Sequence, residues 1–183
     1  MKTVLSIVVL VIFIFSFSIV LTAFNKPLAG VIIKEKTITS QLFDFFKDKA
    51  QLPDVFNDKE KSHLVDVKKV LDLIFSVMLV SVLFLLVLLP LNSKALFYAG
   101  IISILLVFLF AVVPWSFSFT LMHKVFFREN WMFSPDSALK SFYPDSVFYA
   151  YSIVIFSLVL LFSLFFVFLS TKLKKQGSIF WSR

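Results

Sequence analysis

The chain has 183 residues, 60% of them hydrophobic, with 26 Phe and no Cys. That apolar load places one compact unit in a bilayer rather than in water, and the lack of Cys excludes disulfides, thiolate catalysis, Cys-held metals and a lipobox. The net charge of +7 points to an anionic lipid surface and away from nucleic acid, because apolar runs dominate the chain.

The first run, 4–24, is apolar apart from Ser and Thr. It exceeds the roughly 7–15 residues of a signal-peptide core, and "LTAFNKP" is a poor cleavage site, so a retained anchor is expected. An outer segment, 25–69, follows. Its β-branched "GVIIKEKTIT" predicts a short strand or extended arm. Next, "SQLFDFFKDK" sets Leu42, Phe43, Phe45 and Phe46 on a helical stripe with Ser40 as N-cap, an amphipathic helix suited to a membrane surface. Asn57 and Glu60 have capping-box spacing, and nothing after them breaks a helix until Pro90. Such a helix of about 32 residues runs about 48 Å and must protrude from the hydrocarbon. The second span is 70–91, with its unbroken apolar run starting at Leu73; the third is 95–119, with Pro114 as a kink. An outer loop, 120–146, a fourth span, 147–170, and an inner tail, 171–183, complete the chain. The expected fold is an all-α membrane protein, a four-transmembrane-helix bundle with an extracytoplasmic segment. Trp115, Trp131, Tyr143, Tyr149 and Tyr151 supply an interfacial aromatic belt.

Four spans put both termini on one side. Lys2, Lys94, Lys172, Lys174, Lys175 and Arg183 then share it without an acid, and twelve basic residues face all eleven acids across the membrane. The Lys/Arg tally alone favours the reverse orientation, but the rule weakens for long polar segments. The short basic flanks "STKLKKQ" and "LNSK" read as cytoplasmic. Both termini are therefore expected inside and both polar loops outside.

The two histidines are His63 and His123. His63 rides the protruding turns ahead of span two, and His123 emerges where span three leaves the bilayer, so both fall at one depth. Asp66 is one helical turn from His63, within about 60° on the same face. Three chemistries compete. His63, Asp66 and His123 would make three zinc ligands, although no two-His helical signature is present. A serine hydrolase lacks Gly-x-Ser-x-Gly. General acid/base catalysis by imidazole at the lipid interface needs only what is there, with Asp66 fixing a tautomer. Arg128, Asn130 and Trp131 near His123 are donors for an oxyanion or headgroup, while Lys68 and Lys69 reach headgroups or acidic neighbours. The bland reading of "RENW" is a solvated turn with a belt tryptophan.

"HLVDVKKVLDLIF" and, two spans later, "MHKVFFRENWMFSPDSALKSFYPDSVFY" resemble a family, the small four-span bacterial lipoprotein intramolecular transacylases (Lit). The shared pattern is His-Leu-x-Asp-Val-Lys before span two, then His-x-x-Phe-Phe running into Asn-Trp-x-Phe-x-Pro. One departure is "PDSVFY" at the entry to span four, where the family has a double Phe after Pro. The resemblance implies that the sn-2 acyl chain of a diacylglyceryl lipoprotein moves to the α-amino group of its N-terminal Cys, giving the lyso form. For such a transfer His63 and His123 are expected to face each other, one as base and the other as acid or oxyanion partner, with Asp66 orienting His63 and with Lys68, Arg128, Asn130 and Trp131 as substrate contacts. No cofactor and no metal is required. The partners are lipoproteins and membrane lipids, and the location is the bacterial cell membrane with the site on the outer side. A non-enzymatic lipoprotein-binding or assembly protein is the rival class, and a metal-dependent lipid hydrolase a third.

Overall fold

The structure, a computed structural model, describes residues 2–88, 93–127 and 131–180, the side chains of 88 and 175–180 excepted. Pro90 and the "LNSK" turn's Leu91 and Asn92 lie outside the described residues. All regular structure among them is helical: α1 (Lys2–Ala23), α2 (Lys26–Ile32), α3 (Lys36–Phe46), α4 (Asp58–Leu88), α5 (Ser93–Val112), α6 (Trp115–Phe126), α7 (Ala138–Phe142) and α8 (Asp145–Phe180). Four of these helices contain stretches long and apolar enough to cross a membrane: Lys2–Ala23, Asp58–Val87, Ser93–Val112 and Asp145–Lys174. The chain divides into two compact units, one from 1–19, 74–112 and 155–183, the other from 20–73 and 113–154.

The first unit holds the apolar stretches. Val9, Leu10, Leu85, Ala95, Leu96 and Ala99 form one buried cluster, and Ile14, Val107 and Val159 another. The opposite faces expose Leu83, Phe84, Leu86, Leu105, Phe108, Leu161 and Leu164, as expected of helices solvated by lipid. Serines inside these helices are tolerated because they bond back one turn: Ser16 Oγ donates to Ile12 O at 2.7 Å and Ser81 Oγ to Val77 O at 2.7 Å.

The second unit holds the polar segments, and the first sixteen residues of α4 belong to it. Asp58, Lys59, Glu60, Lys61, Asp66, Lys68, Lys69 and Asp72 lie there, ahead of the apolar run from Leu73. The expected capping box forms: Glu60 N–H donates to Asn57 Oδ1 at 3.0 Å, and Asn57 N–H to Glu60 Oε2 at 2.9 Å. The strand or extended arm expected over "GVIIKEKTIT" is instead two helices. Asn25 caps α2, accepting from Leu28 N–H at 3.0 Å, and only a short extended break containing Ile33 and Glu35 separates it from α3. The N-cap of α3 is Glu35, not Ser40, because the Glu35 carboxylate accepts from Thr37 and Ile38 N–H.

Two residues of the α3 stripe, Leu42 and Phe43, are buried against protein. Leu42 packs with Phe56, Leu64 and Leu139, while Phe43 packs with Ala29, Ile33 and Val147. A Schellman motif ends the helix: Lys49 N–H donates to Asp44 O at 2.8 Å and Asp48 N–H to Phe45 O at 3.1 Å. Asp48 takes the left-handed position, φ 57°, which short polar side chains tolerate. Pro114 does not kink a continuous third helix but divides it. Helix α5 stops at Val112 and α6 restarts at Trp115, since proline lacks an N–H and disfavours helix at the preceding residue.

Candidate active site

His63 lies in the second turn of α4, and His123 in the last turn of α6. Both are in the second unit, and both are buried, at 6% and 7% exposure. The rings lie nearly parallel, 18° apart, with centroids separated by 6.2 Å. The two histidines of the chain, sixty residues apart in sequence, therefore meet.

Aromatic side chains enclose them. His63 has Phe127 at 4.8 Å and Phe133 at 5.2 Å, while His123 has Phe119 at 4.0 Å, Phe127 at 5.4 Å and Trp131 at 5.2 Å. Phe127 touches both imidazoles. Phe119 and Trp115 pack in turn on Phe148 and Tyr149 at the start of α8. The belt is thus partly drawn inward: Tyr143 and Tyr151 pack beside Ala29, Ile33 and Val147.

The ring nitrogens have distinct surroundings. His123 Nδ1 lies 2.8 Å from Phe119 O. A carbonyl only accepts, so Nδ1 carries the proton and the neutral ring presents a bare lone pair at Nε2. His63 Nδ1 is buried and has no hydrogen-bond partner among the described residues, a costly state that a bound polar group would relieve. Burial in this apolar shell, aided by repulsion from His123 and opposed by Asp66, pushes His63 from 6.5 down to about 4. Burial also lowers His123, against the raising effects of the Phe119 carbonyl and Asp145. Both imidazoles are neutral at physiological pH.

The other expected site residues separate. Asp66 does not reach a ring nitrogen by hydrogen bond; its Oδ1 accepts from Lys69 Nζ at 2.9 Å, so it acts on His63 only through space. Lys68 is engaged within the protein. Its Nζ donates to Phe45 O at 3.1 Å, pairs with Asp48 and sits 5.0 Å over the Phe45 ring, stapling α4 to the end of α3. Trp131 stands beside His123. Arg128 and Asn130 lie outside the described residues. Among the described residues no three His, Asp or Glu converge as a metal site, so His63, Asp66 and His123 are not gathered as ligands.

Sequence reasoning passed over Phe127, Phe133 and Glu60 as site residues. The two phenylalanines stood in the quoted "HKVFFRENWMF" block, but their contacts with His63 join residues more than sixty positions apart in sequence. The sequence spacing marks Glu60 only as a cap. Its second oxygen accepts from Leu139 N–H at 2.8 Å, a bond 79 residues long in sequence that no local spacing encodes.

Comparison with known proteins gives a consistent answer. The model of the family described as Lit, lipoprotein intramolecular transacylase, matches residues 4–149. The in meso structure of the membrane-integral lipoprotein intramolecular transacylase Lit from Bacillus cereus superposes with TM-score 0.80 at 19% identity, covering 97% of this chain and 96% of that one. A variant of that protein bearing a histidine-to-arginine substitution gives TM-score 0.78 at 19% identity over 97% and 92% of the two chains. No curated protein sequence matches. The family model covers most of the chain and the fold is shared end to end: the chain belongs to the lipoprotein intramolecular transacylase family and is a multi-pass membrane acyltransferase.

Proposed function

We propose that this protein converts diacylglyceryl lipoproteins to the lyso form by moving the sn-2 acyl chain to the α-amino group of their N-terminal Cys. The observation that carries this reading is the pair of buried, neutral imidazoles stacked at 6.2 Å. Donor ester and acceptor amine belong to one molecule, so holding them together supplies much of the rate without an acyl carrier. The amine nitrogen bonds to the ester carbon, the carbonyl becomes an oxyanion, and the bond from that carbon to the glycerol oxygen breaks. One proton must leave the amine and one must reach the departing alkoxide.

His123 Nε2 is the base in this scheme, because Nδ1 is already committed to Phe119 O. The same nitrogen returns the proton to the glycerol oxygen. His63, with its unpartnered Nδ1, offers a hydrogen bond to the oxyanion in the tautomer that protonates that atom. The surrounding Phe127, Phe133 and Trp131 exclude water and favour acyl transfer to the amine over hydrolysis. Asp66, bonded to Lys69, contributes only field, and Lys68 only scaffold. Arg128 and Asn130 remain the proposed headgroup contacts.

His63 precedes the apolar run from Leu73 by ten residues, about 15 Å along one helix. That spacing supports a site at the membrane–water interface, where a diacylglyceryl headgroup lies, while the basic flanks "STKLKKQ" and "LNSK" support cytoplasmic termini and hence the outer face. The functional test is mass spectrometry of lipoprotein N-terminal peptides after expression in a host that makes only the diacyl form. An N-acyl, S-monoacyl-glyceryl product is expected. An unchanged diacyl peptide would favour a binding or assembly role, and free fatty acid with chelator-sensitive activity would favour a hydrolase.

The ionisation state has its own expected result. Burial pushes His63 down to about 4 and holds His123 below its usual value. The His63 ring resonances recorded by NMR in detergent should therefore remain those of neutral imidazole at pH 6.5. Because the folded His63 pKa is depressed, stability is full above the unfolded value of about 6.5 and declines as pH falls from there toward 4. A half-protonated His63 at pH 6.5 would contradict the enclosed geometry.

A further inference from the structure

Glu60 does not touch either imidazole through any hydrogen bond, yet it is the buried acid of the described residues, 1% exposed. A capping box occupies one carboxylate oxygen, and Oε2 serves that role toward Asn57. Oε1 accepts from Leu139 N–H in the first turn of α7, one of the donors a helix start leaves unpaired. The segment leading into α7, 131–137, carries Trp131 to His123 and Phe133 to His63. Its other end is tied by the adjacent residue: Lys59 Nζ donates to Met132 O at 2.9 Å and sits 5.4 Å over the Phe133 ring. Neighbouring positions 59 and 60 thus fasten both ends of one aromatic-bearing segment, from the helix that bears His63.

We infer that Glu60 is a positioning residue for the acyl transfer, holding the 131–137 segment over the imidazole pair through its bond to Leu139. This rests on reading the pair as the catalytic site. A carboxylate is required because it only accepts. Glutamine would satisfy one of the two N–H donors and turn its own NH2 toward the other. The segment would then loosen, Phe133 would leave the His63 ring, and the reacting groups would lose the fixed geometry on which an intramolecular reaction depends.

The test compares Glu60→Gln with Asn57→Ala in the full-length protein, purified in detergent and supplied with a diacyl lipopeptide. Asn57→Ala weakens the same cap but leaves Oε1 and Leu139 alone. Glu60→Gln is expected to lower kcat by about 10²-fold with KM changed less than threefold, and to move the His63 NMR midpoint upward toward 6.5 as its shell opens. The charged or titratable groups acting on His63 are His123 from α6 and Asp66 on its own helix; both variants leave them in place. Asn57→Ala should lower Tm while keeping kcat and the His63 titration at wild-type values. Should Glu60→Gln fail to fold, Lys59→Met releases the other end at an exposed position, with a drop in kcat of about tenfold at unchanged Tm. Wild-type kcat and titration in a folded Glu60→Gln, or in Lys59→Met where that variant is the one measured, would overturn the proposal. So would an equal kcat loss in Asn57→Ala, which would make Glu60 a cap and no more. Full activity of His63→Ala would instead remove the site reading itself, whatever Glu60 does.

Discussion

Replacing His123 with alanine is expected to reduce lyso-form production by about 10²–10⁴-fold, the usual worth of a positioned acid/base group. His123→Gln should fare no better. Glutamine can still donate to the Phe119 carbonyl, but an amide has no basic nitrogen to take the proton from an attacking amine. His63 answers a different question. As an oxyanion donor it can be partly replaced, so His63→Gln should retain more activity than His63→Ala. The alanine variant should fall by about 10²–10³-fold, the scale of a lost oxyanion donor. The two losses should not add in His63→Ala/His123→Ala, because groups that act on one transition state fail together. The measurement is the ratio of N-acyl to diacyl N-terminal lipopeptide, with Tm recorded for each variant. His63→Ala leaves space beside Phe127 and Phe133, and a fall in Tm must be separated from a fall in rate. Full activity in either alanine variant would end the imidazole mechanism.

Local physics made part of this legible in advance. Long apolar runs can be satisfied only as spanning helices, so four candidate spans were readable from 4–24 onward. The Asn57–Glu60 box was equally readable, because both of its hydrogen bonds close within one turn. The meeting of His63 with His123 was anticipated from their shared depth and from the quoted blocks, though depth alone does not fix a 6.2 Å separation. Hydrogen-bond partners were less legible. Asp66 has the spacing to orient His63, but Lys69 lies just as near on the same helix and, being oppositely charged, wins it. Headgroups and acidic neighbours were both open to Lys68; the Schellman turn after α3 sets Asp48 and the Phe45 carbonyl beside it, partners that its own helix does not encode. The helix over 26–32 was hidden because β-branched residues favour strands only weakly, and an Asn cap followed by Pro27 outweighs them. These are contests between neighbours or contacts distant in sequence, and periodicity is silent on both.

Gly100→Leu should be among the most damaging substitutions outside the site, and the smaller Gly100→Ala gives the sharper test because its sign is diagnostic. A Cβ at Gly100 would stand 2.7 Å from Ser163 O and 2.7 Å from Val167 Cγ2. The valine methyl can rotate away, but the Ser163 oxygen is backbone inside α8, so α5 and α8 would have to part. Ala99 and Ser103 on α5 and Ser163 on α8 are fully buried around this approach. Within a bilayer, lipid chains offer apolar surface as readily as a neighbouring helix does, so packing distance carries much of the attraction between spans. Opening the contact forfeits it. Helix propensity pushes the other way, since Ala in a helix interior is favoured over Gly by about 1 kcal/mol. Overpacking costs about 1–3 kcal/mol, so Gly100→Ala should be net destabilising and Gly100→Leu more so. Gly30 supplies the control, because nothing lies within 4 Å of a Cβ built there; Gly30→Ala should leave Tm unchanged or raise it. Thermal unfolding in detergent decides the matter. A Gly100→Ala protein as stable as its Gly30→Ala counterpart would show that close backbone approach does not hold α5 against α8.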